Sequence, residues 1–331
     1  MRILVTGGAG YIGGFTVRKL LARGHAVTVF DNLSVGHKEA VPSAANLVVA
    51  DLKDIDHLDH TLVVNRIECV IHFAASASVP ESVANPSKYY LNNLSNSLNL
   101  LERVRRHKID KFVFSSTCAT YGDPQFVPLT EEHPQNPVNA YGQTKLAFER
   151  MLADFAPAYG IGYAALRYFN ASGASSDGQH GEHHDPETHL IPLVLQVALG
   201  QRSHIDIFGT DYPTPDGTCI RDYVHVEDLA EAHLLALEKL TPGVGRAFNV
   251  GTGLGQSVRE VIRACEAVTG KTIPVQEKPR RPGDPPELFA APAKIRAELG
   301  WRPQYPDLDS IVQTAWNWHR THPKGYKSAG A

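Results

Sequence analysis

The chain has 331 residues, 43% hydrophobic and 20% charged, with a formal net charge of −3. That length accommodates about two domains of ~100–200 residues. The near-neutral balance argues against capture of nucleic acid or of an anionic membrane, so a small molecule is the expected partner. Four cysteines, Cys69, Cys118, Cys219 and Cys265, lack metal or redox spacing, and no basic, apolar leader precedes the first strand-like run. A reduced, soluble, cytoplasmic protein is expected, in which the glycosylation sequons at Asn93 and Asn170 are chance matches.

In chain order, β-rich runs at 2–6, 26–31, 46–51, 69–75, 111–117 and 163–170 alternate with helical stretches. Such alternation predicts βαβ units and a parallel sheet. Between two of these runs, Tyr90, Leu94, Leu98, Leu101 and Val104 recur at helical spacing, predicting one helix over 87–107 that covers the sheet. After about residue 171 the chain turns rich in Gly, His, Pro and Asp, as in "SGASSDGQHGEHHDPET" and "EKPRRPGDPPE". The expected fold is α/β, a Rossmann-type doubly wound parallel sheet over residues 1–176. A smaller, mixed α/β substrate domain over 177–331 is expected to return some segments to the first.

Ligands of an open parallel sheet bind beyond the carboxyl ends of its strands. The first run ends in "TGGAGYIG", where Gly7, Gly10 and Gly13 let the backbone turn tightly and bring a dinucleotide pyrophosphate onto a helix N-terminus. Asp31 ends the second run 18 residues after Gly13, close to the ~20-residue offset of a carboxylate that holds the adenosine ribose. A carboxylate there repels a 2′-phosphate, which favours NAD over NADP. His37 and Lys38 just downstream read as a solvated turn. Asp51, with Leu52, either bounds the adenine or caps a helix.

The stretch "YGQTK" raises a different question. At 100° per residue, Tyr141, Lys145, Phe148, Leu152 and Phe155 fall within a stripe of about 80°, with Gln143, Arg150 and Asp154 opposite. A buried ammonium is costly unless it has a task. Beside a nicotinamide ring, Lys145 and the ring's positive charge are expected to pull the Tyr141 phenol toward neutrality and make it a general base. Ser115, Ser116 and Thr117 end the fifth run on the ligand side, and Thr117 is the hydroxyl expected to orient a substrate.

Together these motifs resemble the extended short-chain dehydrogenase/reductase family, and within it the UDP-hexose 4-epimerases. "MRILVTGGAGYIGG", "DNLS", "VIHFAA", "FSSTCATYG", "LRYFNASGA", "IRDYVHVEDLA", "FNVGTG" and "RRPGDPP" carry the likeness along the whole chain. The resemblance implies an isomerase that interconverts UDP-galactose and UDP-glucose through a 4-keto sugar, with NAD kept bound. It implies Tyr141 as acid/base, Lys145 on the nicotinamide ribose and Thr117 at the sugar 4-OH. Further cofactor contacts are implied at Tyr11, Ile12, Asn32, Asp51, Leu52, Phe73, Ala74, Ala75, Asn92, Ser115 and Tyr168. Asn170 and Arg221 are implied for the nucleotide diphosphate, Arg281 and Asp284 for phosphate and uridine ribose, and His189 and Leu190 for the substrate without a more definite role. His189 departs from relatives with Asn there. Leu288 stands where a Tyr limits the pocket to plain hexoses, so some turnover of UDP-N-acetylhexosamines is expected, and a homodimer through helices 87–107 and 140–156.

Rival readings are a UDP-xylose/arabinose 4-epimerase, a nucleotide-sugar 4,6-dehydratase and a non-catalytic NAD-binding regulator. The dehydratase needs acidic residues after the Thr, where this chain has Cys118 and Ala119, and the regulator does not need the Tyr and Lys that are kept. "HGEHHDPETH" lacks the short spacings usual for zinc, so no metal is expected, and the run reads as a flexible loop closing over the substrate. "GTGLG" at 251–255 reads as a turn before a helix capped by Ser257 and Glu260, and Cys118 as a packed residue.

Overall fold

Runs such as Ile3–Leu4–Val5 and Val27–Thr28–Val29–Phe30, buried at every position, are what strands covered on both faces require. In the computed structural model, which describes residues 1–281 and 283–326, they form the centre of one sheet. Strands β1 (Arg2–Thr6), β2 (Ala26–Asp31), β3 (Asn46–Val49), β4 (Cys69–His72), β5 (Lys111–Thr117) and β6 (Gly162–Tyr168) come first. Between them lie helices α1 (Tyr11–Ala22), α2 (Ile55–Val64), α3 (Val79–Ala84), α4 (Pro86–Tyr89), α5 (Asn96–Arg106) and α6 (Ala140–Tyr159). The remainder supplies β7 (Asn170–Ser172), α7 (Leu190–Ala198), β8 (Ile205–Phe208), β9 (Ile220–His225), α8 (Val226–Glu238) and β10 (Gly245–Val250). Last come β11 (Gly255–Ser257), α9 (Val258–Thr269), β12 (Val275–Lys278), β13 (Glu287–Leu288), α10 (Ala293–Leu299) and α11 (Leu308–Thr321).

The main sheet has seven strands in the order β10-β6-β5-β4-β1-β2-β3, every neighbouring pair parallel. Apart from β10 this is the doubly wound order of dinucleotide-binding folds, whose direction reverses between β1 and β4 and opens a crevice there. One core, including Val17, Val29, Leu229 and Phe248, fills one face, and a second, including Leu58, Leu101, Phe148 and Leu152, fills the other. A third lies among α7, α9, α11 and β8, around Ile191, Ile207, Val261 and Ile311. β7, β9, β11 and β13 make a small sheet beside the crevice, and β8 pairs with β12. Among the described residues no helix is long and apolar enough to cross a membrane.

Two expectations, one about the covering helix and one about strand ends, need correction. It is not one helix over 87–107: α4 passes into a π-helical stretch at Tyr90–Ser95 before α5 begins. The cause is a tertiary clamp, in which Asn93 accepts from the Ser76 N–H at 2.8 Å and donates to the Ser76 carbonyl at 2.9 Å. The widened turn rotates the apolar face, so Tyr89 is fully buried while Tyr90 and Leu98 are 44% and 38% exposed. The strand runs predicted to 51, 75 and 170 also stop earlier, at Val49, His72 and Tyr168, where the chain leaves the ladder to form the crevice.

Candidate active site

The turn after β1 is shaped by contacts that only glycine tolerates. Gly7 has φ +72, and a Cβ there would meet the Ala74 nitrogen at 2.6 Å, so β1 and β4 touch at the reversal point. A Cβ on Gly13 would stand 2.2 Å from the Gly7 carbonyl, which fixes how closely α1 follows the turn. Gly10 caps α1 without any side-chain hydrogen bond, leaving the N–H groups around Tyr11 and Ile12 to a ligand. At the tip of β2, Asp31 accepts from Ala9 N at 3.0 Å and Leu33 N at 2.9 Å. Burial raises its carboxyl, and those two N–H groups work against the rise. A cradle cleared of Cβ atoms beside a held carboxylate fits a dinucleotide with free ribose hydroxyls.

The other expected cofactor residues gather around this turn. Asn32 donates to Asp51 at 2.9 Å, Leu52 is buried in the core, and Phe73, Ala74 and Ala75 follow β4. Asn92 donates to Ser76 Oγ at 3.2 Å. Asp51 does not cap a helix: the cap of α2 is Asp54, which accepts from His57 N. His37 is no free phosphate contact either, because its ring stacks on His183 at 4.6 Å and its Nε2 meets the His183 carbonyl.

On the far side of the crevice α6 presents Tyr141 and Lys145. Asn139 caps the helix by accepting from Gly142 N at 2.9 Å, and Phe148 and Leu152 anchor its inner face with no exposed surface, each side chain contributing ~1.5–3 kcal/mol. A Cβ on Gly142 would lie 2.5 Å from the Ala119 carbonyl. This close approach sets Tyr141 beside Thr117 at the end of β5. Lys145, 4% exposed, donates to the Ser115 carbonyl at 2.8 Å, and its Nζ stands 5.9 Å from the Tyr141 ring centre. Ser115 Oγ is bonded to the Tyr168 hydroxyl, whose pKa burial pushes up to about 12.

The electrostatics depart from expectation. Burial raises the Tyr141 phenol well above its ordinary value, with Tyr168 adding to the rise and the Thr117 hydroxyl opposing it. Burial likewise lowers Lys145 to about 7 against a partial counter-pull from Glu149. That shift corresponds to a penalty on the ammonium, relative to water, on the order of 5 kcal/mol, which leaves the charged and neutral forms comparably populated near pH 7. The chain's own groups therefore do not bring the phenol to neutrality, and a further positive charge is required for that.

The third wall is a cavity of about 350 Å³ whose lining includes Asn170, His189, Leu190, Arg221, Arg281 and Asp284. Arg221, its side chain 13% exposed, pairs with Asp284, and the Arg281 guanidinium lies 3.9 Å from the centre of the Phe208 ring. The Asn170 amide donates to the Asp222 carbonyl at 3.0 Å, binding β7 to β9. Thr117, Tyr141 and Leu288 lie outside this lining. Leu288 sits opposite Arg221 in the β13–β9 pairing and packs with Tyr121, Leu129, Phe169 and Cys118. Burial lifts the Cys118 thiol to about 12, in keeping with a packed residue, and Ser257 and Glu260 form the expected capping box.

The histidine-rich run is not the flexible loop expected. His180 and Glu182 are 0% and 3% exposed. His180 packs on Phe15 of α1 with ring centres 4.4 Å apart, while Trp318 of α11 donates to the Glu182 carbonyl at 3.0 Å. His189 turns Nδ1 to Glu182 at 2.8 Å, so that nitrogen is not offered to the cavity. A network under Thr117 was also missed. Arg167 grips Glu149 through Nη2 at 2.6 Å, Glu149 accepts from Ser116, and Arg167 donates to the Tyr121 hydroxyl at 2.9 Å. Glu149, two turns after Tyr141 in the apolar stripe, was the available signal. Asp222 is another: fully buried, it accepts from Thr252, Gly253 and Ala290 N–H groups and so ties β9 to the segments that follow β10 and β13.

A family model described as the NAD dependent epimerase/dehydratase family matches residues 3–251. A UDP-glucose 4-epimerase of Halalkalibacterium halodurans is 52% identical over 329 residues, covering 99% of this chain and 98% of that protein. A crystal structure of UDP-glucose 4-epimerase superposes with a TM-score of 0.96 at 48% identity, over 99% of this chain and 100% of that one. The Bifidobacterium longum UDP-glucose 4-epimerase in complex with NAD+ and UDP gives 0.94 at 38% identity, over 98% and 100% of the two chains. With the glycine cradle and the Tyr141–Lys145 pair, these matches establish that the chain belongs to the NAD dependent epimerase/dehydratase family, among relatives of the UDP-glucose 4-epimerases, with NAD as its cofactor.

Proposed function

We propose that this chain interconverts UDP-galactose and UDP-glucose. Bound NAD supplies the acceptor for the C4 hydride and, after the 4-keto sugar has turned in the site, its donor. Tyr141 removes the 4-OH proton as the hydride leaves and returns it when the ketone is reduced. Lys145 holds the nicotinamide ribose, and Thr117 orients the 4-OH. Arg221 and Arg281 take the diphosphate, since guanidinium suits phosphate oxygens, and Asp284 takes the uridine ribose.

The observation that carries this reading is the position of Tyr141, Lys145 and Thr117 between the glycine cradle and the arginine-lined cavity. Burial keeps the proton on Tyr141 and disfavours the charge on Lys145, so the phenol acts as a base only with fixed positive charge beside it. That requirement restricts proton removal to the loaded site. Cys118 and Ala119 follow Thr117, so no carboxylate stands where a dehydratase needs one, and the ketone's remaining course is reduction. Leu288, less bulky than Tyr, supports a side activity on UDP-N-acetylhexosamines.

A homodimer through the segments 87–107 and 140–156 is part of the proposal, supported by Tyr90 and Leu91, 44% and 61% exposed on the first of them. So are a boundary near residue 176, with β10 returning to the first sheet, and a cytoplasmic location, in keeping with four unpaired cysteines. Purified protein given UDP-galactose and no added cofactor is expected to yield UDP-glucose, and absence of product under those conditions would refute the assignment.

A further inference from the structure

Glu182, His184, Glu187 and His189 follow the pattern E-x-H-x-x-E-x-H in the segment before α7, and one ligand atom from each lies within 4.8 Å of all the others. Glu182 Oε1 stands 3.2 Å from His184 Nδ1 and 2.8 Å from His189 Nδ1. Glu187 brings Oε1 to 3.0 Å from His189 Nδ1 and Oε2 to 3.7 Å from His184 Nδ1. Each carboxylate thus faces the same nitrogen of both rings. Four N and O donors held tetrahedrally around Zn2+ at ~2.0–2.2 Å are roughly 3.3–3.6 Å apart, a span that these four separations bracket.

Hydrogen bonding accounts for the arrangement less completely. One ring N–H serves one well-aligned acceptor, yet His189 Nδ1 has two carboxylate oxygens at nearly equal range. His184 Nδ1 is buried and has no aligned partner although Glu182 is close. The side chains of Glu182 and Glu187 are only 4% and 5% exposed, and two carboxylates so placed demand compensating positive charge. Met by protonation, the demand would set two imidazolium rings 5.2 Å apart. A single divalent ion meets it with both rings neutral, and imidazole with carboxylate is a donor set that zinc accepts.

We propose that Glu182, His184, Glu187 and His189 bind one divalent transition-metal ion, by donor set and size Zn2+. With four protein donors the site is closed, so the ion is structural and takes no part in the epimerisation. Its position gives it a task. His184 lies edge-on to Tyr11 of the glycine turn, ring centres 6.4 Å apart, and His189 both precedes α7 and lines the cavity. The ion fastens the segment that joins the cofactor wall to the substrate wall. The expectation of no metal rested on the lack of the short ligand spacings usual for zinc, whereas here the fold, with the run packed against α1 and α11, brings the four donors together.

The test uses untagged protein grown with added zinc. Elemental analysis is expected to give about one Zn2+ per chain, and replacement by Co2+ to give the intense visible bands of a tetrahedral site. Both signals should be lost in His184→Asn and in Glu187→Gln, and chelation should lower the Tm of wild type by about 2–5 °C. Wild type that holds no metal and gives no Co2+ bands overturns the proposal, as does metal retained in full by both variants. Should a variant fail to fold, the wild-type Co2+ spectrum alone decides.

Discussion

The wall that carries Gly7, Gly10 and Gly13 is built within one βα unit, whereas the wall opposite draws Asn170, His189, Arg221, Arg281 and Asp284 from separate segments. On the first, the backbone is the binding device: approaches of 2.2 and 2.6 Å to would-be Cβ atoms fix the cradle before any ligand arrives. On the second, charged side chains do the work, and Arg221 already holds Asp284. In the proposed reading a diphosphate replaces that partner. The cofactor site is therefore preformed and the substrate site is exchanged into, which suits an enzyme that keeps one ligand and cycles the other.

Substitutions can break the comparison one wall at a time. The largest effect is expected where the walls meet: Tyr141→Phe should lower kcat by ~10²–10⁴ while bound NAD is retained, and near-normal turnover would remove the phenol from its role. Next comes the support beneath. Glu149→Gln leaves Arg167 buried without its anionic partner, since their side chains are only 8% and 7% exposed. A stability loss of ~3–5 kcal/mol is expected by denaturant titration, and an unchanged midpoint would mean that the pair adds nothing to stability.

Smaller effects belong to the substrate wall. Arg221→Ala should raise KM for UDP-galactose by ~10–100-fold, the worth of a charge-assisted hydrogen bond, with NAD content unchanged. Loss of NAD in that variant would show that the two walls cannot be separated. Smallest is Leu288→Tyr, for which turnover of UDP-GalNAc should fall by about tenfold and that of UDP-galactose change little. Wild type with no activity on UDP-GalNAc would dispose of the side activity altogether.

The same contrast explains what was legible in the sequence. β1, β2 and β5 and the stripe of Tyr141, Lys145, Phe148 and Leu152 were read correctly, because their burial follows from local periodicity. The π-helical stretch was not, because it depends on Asn93 reaching Ser76, 17 residues earlier in the chain. The histidine-rich run was taken for a loose loop because its neighbours, Phe15 and Trp318, are far away in the chain. Lys145 was placed inside by its spacing. The cost of that burial, and its dominance over attraction between the pair, became visible only with the surrounding Phe114, Ser115 and Tyr168 in place.

The central claim is that hydride never leaves the closed site while the proton passes through Tyr141. UDP-galactose carrying deuterium at C4, incubated with purified protein and no added cofactor, tests it most directly. UDP-glucose that keeps the label at C4 is the predicted product. UDP-glucose with protium from solvent at C4 would contradict the account.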